Sequence, residues 1–426
     1  MSSQLSLSKS NVSLSLSLSP TTTSTDGAIC DVLKSENNGI KLIKLLFTCA
    51  SHVSSGDLHQ ADVCLRQIFQ FSSASNDSMH RLATWFASAL AVRLVKRWPG
   101  VYKALNCSSL MKFDLDRARS IFTKALPYLG FAYAVINRTL VQAMLGERVV
   151  HVVDLGSSDP KLWVPFMRIL ATSPDGPPHL RITCVSSNKN ALDKLGVRLK
   201  KEAEQLDMSF QFNPVNVHLR DLNFSSIVKV TSGEALAFIS VLNLHVLLAE
   251  DDRIDAQFGL NKDSKNIKHC KHADEFLEKL CSLSPKLVML VEQESNHNLQ
   301  KLVDRFVEGL RYYSAMFDSI NVAFKGALCE ERLLVEEMIG KEIENIVACD
   351  GLEREERHDK FANWMVRLGR AKFRPVRLWG DTMDDAIRFV ESYGVDGYKI
   401  SSQKGSLMIG WHDRPIYSVS GWTCFN

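Results

Sequence analysis

Arg148-Val149-Val150-His151-Val152-Val153-Asp154-Leu155 is the stretch that decides the fold. A short run of β-branched residues ends at a carboxylate. A turn follows, Gly156-Ser157-Ser158-Asp159-Pro160, and an apolar helical pattern begins at Trp163. Apolar residues at successive positions mark a strand buried on both faces. A strand that feeds a helix through a tight turn is the first step of a parallel, doubly wound sheet. Ligands of such sheets bind beyond the carboxyl ends of the strands. Asp154 therefore stands where a methyltransferase or dehydrogenase holds its cofactor.

The turn itself speaks against a cofactor. A dinucleotide or S-adenosylmethionine loop needs several glycines, because the backbone must turn tightly and approach the ligand without side chains. Only Gly156 is present, followed by Ser157, Ser158, Asp159 and Pro160. After a second strand, Leu180-Arg181-Ile182-Thr183-Cys184-Val185, an acidic residue would bond a ribose. This chain has Ser186-Ser187-Asn188 instead. The expectation is no bound cofactor, with Asp154 accepting backbone N–H bonds from its own turn.

Working outward, parallel strands are expected at 149–155, 180–185, 210–214, 235–242 and 286–291, with helical patterns such as 191–206 and 298–317 between them. Short strands at 397–401, 406–411 and 416–423, with a turn at Gln403-Lys404-Gly405, predict a terminal antiparallel hairpin added to the sheet. Toward the N-terminus the pattern is helical. Asp57 is placed to cap a helix, Leu82, Phe86, Leu90 and Leu94 repeat every four residues, and a stretch over 115–144 should restart at Pro127. Such stripes more often pack a helical bundle's own core than a partner. Trp422 lies in a strand rich in large apolar residues and is expected to be buried, closing the sheet.

Composition sets the class. The 426 residues are 45% hydrophobic and 23% charged, ordinary for a globular protein. The 51 Lys+Arg against 48 Asp+Glu give +3, too balanced for DNA binding by bulk charge. Ten cysteines without a C-x-x-C pair suggest reduced thiols in an intracellular protein. No apolar run reaches a membrane span, and the N-terminus lacks the order of a signal peptide. Residues 1–28, rich in Ser, Thr and Leu, are expected to be a disordered tail. Within it Leu14, Leu16 and Leu18 alternate with serines, which in an extended chain puts the leucines on one face. A strand-docking motif and a chance pattern in a biased tail both fit.

Candidate chemistry elsewhere is thin. His412 and Asp413 adjoin, but no G-x-S-x-G elbow supplies a nucleophile. His151 reads as a core histidine bonded to backbone, with no nucleophile or metal implied beside it. Residues 251–274 read as a charged surface loop. In it His269, Cys270 and His272 lack a second cluster that would complete a structural zinc site. Glu353-Arg354-Glu355-Glu356-Arg357, with charges three and four apart, reads as a solvent-exposed helix. Arg370, Lys372, Arg374 and Arg377 could form a basic face, an import signal or a solvated strand edge. No catalytic, cofactor-binding or metal-binding residue is assigned.

Val150-His151-Val152-Val153-Asp154 resembles the VHIID motif of the GRAS family of plant transcriptional regulators. Gly176-Pro177-Pro178-His179-Leu180-Arg181-Ile182-Thr183 is similar to a stretch just after that motif. Arg354-Glu355 resembles the RE element of the PFYRE region, and Ser420-Gly421-Trp422 resembles the closing SAW motif. The resemblance runs from about residue 39 to the end. Arg97–Asn106 and 283–286 resemble its scarecrow-like branch most.

The resemblance implies an α/β fold. It would combine a doubly wound, Rossmann-like sheet of the methyltransferase type with an N-terminal helical cap over about 39–125. The α/β core would span about 126–426, with a cap-contributing helical insertion near 327–370. It further implies a nuclear, non-enzymatic regulator acting through protein contacts in gibberellin responses and root patterning. Implied partners are DELLA-type regulators, DNA-bound zinc-finger factors, a corepressor recruited through Leu14, Leu16 and Leu18, and other GRAS chains in dimers. DNA association would be indirect. The alternative is a methyltransferase-like small-molecule-binding protein or enzyme using the pocket near Asp154. Two positions depart from the family pattern: Leu162 replaces a usual glutamine and Gly421 a usual alanine.

Overall fold

The computed structural model describes residues 26–72, 77–107, 113–174, 176–227, 233–250, 269–325, 330–378 and 380–424. Leu14, Leu16 and Leu18 lie outside the described residues, as does most of the stretch read as a charged loop.

Six helices come first: α1 (Asp26–Ser55), α2 (Leu58–Ser72), α3 (Ser78–Val95), α4 (Pro99–Cys107), α5 (Leu115–Ala125) and α6 (Pro127–Ala143). Asp57 accepts the Gln60 N–H at the start of α2, the cap expected of it. Pro127 opens α6, where its missing N–H costs nothing. The sheet follows, with β1 (Val149–Asp154), α7 (Pro160–Ala171), β2 (His179–Val185), α8 (Lys189–Gln205), β3 (Phe210–Val215), a single helical turn α9 (Phe224–Ile227) and β4 (Ala235–Val241). Then come α10 (Lys271–Ser282), β5 (Leu287–Gln293), α11 (Leu302–Ala323), α12 (Glu330–Ala348), α13 (Phe361–Arg370) and β6 (Phe373–Val376). Last are α14 (Gly380–Glu391), β7 (Tyr398–Gln403), β8 (Ser406–Trp411) and β9 (Arg414–Cys424).

The nine strands among the described residues form one sheet, eight of them in the order β3-β2-β1-β4-β5-β9-β8-β7 and β6 off this path beside β9. The first five are parallel, with His151 opposite Arg181 on β2 and Leu236 on β4. β9 runs antiparallel to β5, pairing Trp422 with Val288. The terminal addition is larger than the expected hairpin. β7, β8 and β9 form a meander, and β6 pairs with the far end of β9, Pro375 opposite Trp422. β9 thus carries β5 on one edge and both β8 and β6 on the other.

Two cores flank the sheet. In β1, Val150 and Val152 join the core beneath the N-terminal helices, while Val153 and, just past the strand, Leu155 join the opposite core. β4 and β5 alternate in the same way, as do Val419 and Trp422 of β9. This two-sided burial is why the strands read as continuous apolar runs. On the first face α3 packs against α1, α2, α11 and α12. Its stripe Leu82, Phe86, Leu90 and Leu94 is buried, as internal packing requires. Gly340 lets α12 approach closely, since a Cβ there would fall 2.2 Å from the Trp85 ring. Arg81 and Glu336, paired at 2.8 Å, tie the same two helices together. On the second face Phe361, Trp364 and Leu368 of α13 pack with Trp422.

Two local expectations fail. Glu353–Arg357 is no exposed helix: a 3-10 turn over Gly351–Glu353 leads into irregular backbone. Arg354 is 1% and Arg357 3% exposed. Their guanidinium groups serve buried carbonyls of His297 and Gly351, so the alternating charges reflect internal hydrogen bonding and not a solvated face. The stretch up to residue 274 is not all loop either. Helix α10 begins at Lys271, and Cys270 just before it is buried, its thiol bonded to the Leu247 carbonyl.

Candidate functional site

The carboxyl ends of β1 to β4 open into a cleft of about 540 Å³. Its walls include the turn 156–160, Ser186 to Asn188, His218, Asn243, His245, Arg119 on α5, Lys194 on α8, and Glu355 and Glu356. This is the position at which a doubly wound sheet binds ligands. Three of its anchor points are spent on the protein itself.

Asp154 is fully buried. Its Oδ1 accepts the N–H of Gly156 at 3.1 Å and of Ser157 at 2.7 Å. Its Oδ2 accepts Ser158 N–H at 3.2 Å, the indole N–H of Trp163 at 2.9 Å, the Cys184 thiol at 3.4 Å and the Ser157 hydroxyl. A carboxylate offers about four acceptor sites, and six donors converge on this one. The turn-bonding role expected from sequence is present, extended by a tryptophan from α7. Leu162 is buried beside that tryptophan, and its carbonyl accepts from the Asn137 amide.

Gly156 has φ +127°, a backbone region closed to other residues. Asn243, just beyond β4, lies against it and donates its amide to the Leu155 carbonyl at 2.6 Å. At the end of β2, Asn188 caps α8 by accepting Ala191 N–H, and Ser186 accepts Asn188 N–H. No acid stands at the ribose position.

His151 is buried in β1 but does not bond backbone. Its Nε2 meets Thr183 Oγ1 at 2.8 Å, and its Nδ1 lies 3.6 Å from Glu234, which pairs with Arg181 at 2.8 Å. A two-sided strand places a polar side chain opposite its neighbours' side chains, because the backbone is already engaged in the ladder. Burial pushes the imidazole down to about 4, with Glu234 opposing the shift and Arg181 adding to it.

Of the remaining motif residues, Val150, Val152 and Val153 pack the cores. Arg354 bonds the carbonyls of His297 and Leu299, while Glu355 reaches the cleft rim beside His218 at 3.5 Å. Asp154's turn and Glu355, some 200 positions apart in sequence by rough count, therefore border one cleft. Ser420, Gly421 and Trp422 lie in β9, away from it; Ser420 Oγ accepts the Trp422 indole N–H at 2.9 Å. His269 pairs with Asp274 and is not gathered with Cys270 and His272 into a ligand set.

Sequence reading missed a polar chain at the inner end of the cleft. His245 Nδ1 meets Glu292 Oε2 at 2.8 Å and its Nε2 meets Glu356 Oε2 at 3.1 Å. His358 Nε2 shares that oxygen at 3.1 Å, and its Nδ1 faces His297 Nδ1 at 2.9 Å. His297 continues to Ser295, and Ser295 to Glu308 and Arg414. Burial alone would drive His245 neutral, but Glu292 and Glu356 outweigh it and hold the imidazole up at about 10. His297 is pushed well down by burial, and the neighbouring His358 adds to the effect. One signal was available: Glu292 is the next-to-last residue of β5 and Asp154 the last of β1, each an acid near the carboxyl end of a buried parallel strand.

A doubly wound sheet with an antiparallel closure and N-terminal helices packed on one face defines a Rossmann-like α/β protein. The model of the GRAS domain family matches residues 42–423, and the chain belongs to that family of plant transcriptional regulators. Scarecrow-like protein 3 of Arabidopsis thaliana is 38% identical over 438 residues, covering 92% of this chain and 90% of that one. DELLA protein GAI1 of Vitis vinifera is 33% identical over 402 residues, covering 93% of this chain and 64% of its own length. The crystal structure of SCL7 from Oryza sativa superposes with a TM-score of 0.73 at 26% identity, over 89% of this chain and 99% of that one.

Proposed function

We propose that the protein is a nuclear, non-enzymatic transcriptional regulator that works through protein–protein contacts in gibberellin signalling and root development. The observation that carries the non-enzymatic reading is the Asp154 carboxylate, whose two oxygens already take six donors from the protein. A ligand would have to displace the turn to reach it. Likeness to scarecrow-like and DELLA proteins supports the pathway.

In this reading DELLA-type regulators, zinc-finger transcription factors and other GRAS chains are its partners, and DNA is reached through them. The helices over 39–125 and the segment holding Arg354 and Glu355 supply contact surface. Leu14, Leu16 and Leu18 dock on a corepressor as an added strand, alternate side chains filling pockets. Calorimetric titration of the whole chain with S-adenosylmethionine tests the first claim. No heat of binding is expected, and micromolar affinity would instead support a small-molecule-binding protein. Pull-down with the corepressor tests the second: alanine at all three leucines should abolish capture and leave the thermal melt unchanged.

A further inference from the structure

Among the described residues, one group of metal-ligating side chains brings its donor atoms within 4.8 Å of one another: His245, Glu356 and His358. We propose that these three residues bind a divalent transition metal of the zinc type at the inner end of the cleft.

The donor set suits the ion. Two imidazoles and a carboxylate are ligands that zinc takes at about 2.0–2.2 Å, leaving further positions open. Both histidines direct Nε2 at the same oxygen, Glu356 Oε2, at 3.1 Å each. Those separations are close to the roughly 3.3 Å that two ligands of one tetrahedral zinc keep at such bond lengths. An ion therefore replaces the hydrogen bonds with small shifts of three side chains. His245 and Glu356 line the cleft, which gives the ion a path from solvent.

The surroundings are those of a metal site. His245 Nδ1 is bonded to Glu292 Oε2, and Glu292 Oε1 is fixed by the N–H groups of Leu244 at 2.9 Å and His245 at 3.2 Å. A carboxylate on the far nitrogen of a ligating histidine sets its tautomer and raises its basicity. On the other ligand, Nδ1 of His358 reaches His297 Nδ1, His297 Nε2 reaches Ser295 Oγ at 2.9 Å, and Ser295 donates to Glu308 at 3.2 Å. With metal on Nε2, His358 keeps one proton on Nδ1 and donates it to His297. His297 donates from Nε2 to Ser295, and Ser295 donates to Glu308. Each group then has one proton and one acceptor.

Without the ion, the same geometry requires both Nε2 atoms to carry protons toward one carboxylate oxygen. The rings of His245 and His358 are close, their centroids 4.2 Å apart. A divalent ion takes the place of those two protons on Glu356 Oε2. Binding ties the segment after Arg354 and Glu355 to the end of β4.

The test uses the whole chain, stripped with chelator, and titrated with Zn²⁺ against a chromophoric chelator and with Co²⁺ as a spectroscopic probe. Expected are one equivalent bound, proton release on binding, weaker binding at pH 6 than at pH 7.5, and a Co²⁺ spectrum without thiolate charge transfer. Glu356→Gln and His358→Gln should lose the site. Glu292→Gln keeps all three ligands and should weaken binding about 10–100-fold, the range for such outer partners. It decides the matter if the ligand variants fail to fold. No uptake, a thiolate band, or unchanged affinity in Glu292→Gln would overturn the proposal.

Discussion

Asn243 occupies the space in which Gly156 would carry a side chain: a Cβ on Gly156 would lie 2.2 Å from Asn243 Nδ2. In a cofactor-binding turn a bare glycine leaves room for the ligand. Here it leaves room for an amide of the protein, which bonds Leu155 across the strand ends.

Gly156→Ala should therefore cost about 2–5 kcal/mol, from the positive φ and the collision together. Adding Asn243→Ala should restore the collision part and leave the backbone part. Urea denaturation of both variants, of Asn243→Ala alone, which loses only the Leu155 hydrogen bond, and of wild type separates the contributions. A single mutant as stable as wild type would refute this packing.

Trp422 is 1% exposed, against Phe361 at a ring separation of 6.3 Å. Trp422→Ala should cost about 3–5 kcal/mol, lower the melting temperature and weaken all partners together. Thermal melts beside pull-downs distinguish this from a surface role, for which stability would be normal and only selected partners lost.

Gly421 is the position at which the family pattern has alanine. A Cβ there would meet Met289 Sδ at 3.3 Å, Val376 Cβ at 3.6 Å and Leu378 Cδ2 at 3.7 Å. A flexible thioether can yield a few tenths of an ångström, so Gly421→Ala should stay within about 1 kcal/mol of wild type. Gly421→Leu should destabilise clearly more. Differential scanning calorimetry on both variants gives the comparison.

His151 faces Glu234, Arg181 and Thr183 and stays neutral in the fold, its pKa lowered from 6.5 to about 4. Between those values the unfolded chain binds the extra proton, so stability rises with pH across that window. The contribution is intact above pH 6.5 and lost as pH falls toward 4, amounting to roughly 3 kcal/mol. His151→Asn should flatten the pH dependence of urea unfolding between pH 6.5 and 4.5. An unchanged slope would remove His151 as its source.

The parallel half of the sheet was legible because β1, β4 and β5 are apolar on both faces and end in turns. The Asp154 turn was legible because serines and a lone glycine can satisfy a carboxylate locally. The chain from Glu292 through His358 was not, since its members come from β5, the turn after β4 and irregular backbone after α12, with no shared spacing. β6 escaped because four residues containing Pro375 give no periodicity. The Glu353–Arg357 error has the same root: charge spacing reports which residues could meet on a helix, not whether the backbone is one.

β9 is synthesised after every strand it joins. Until it emerges, the β9-facing edge of β5, Leu287-Val288-Met289-Leu290-Val291, has no partner, β6 has nothing to pair with, and β8 is paired with β7 alone. An apolar, unpaired strand edge is a site for pairing with another chain. The parallel half must therefore wait in an aggregation-prone form during translation, and a stop codon before residue 414 would leave it there. Loss of the last strand is thus a defect of assembly, read out as insoluble protein on the ribosome's timescale, before any partner is met.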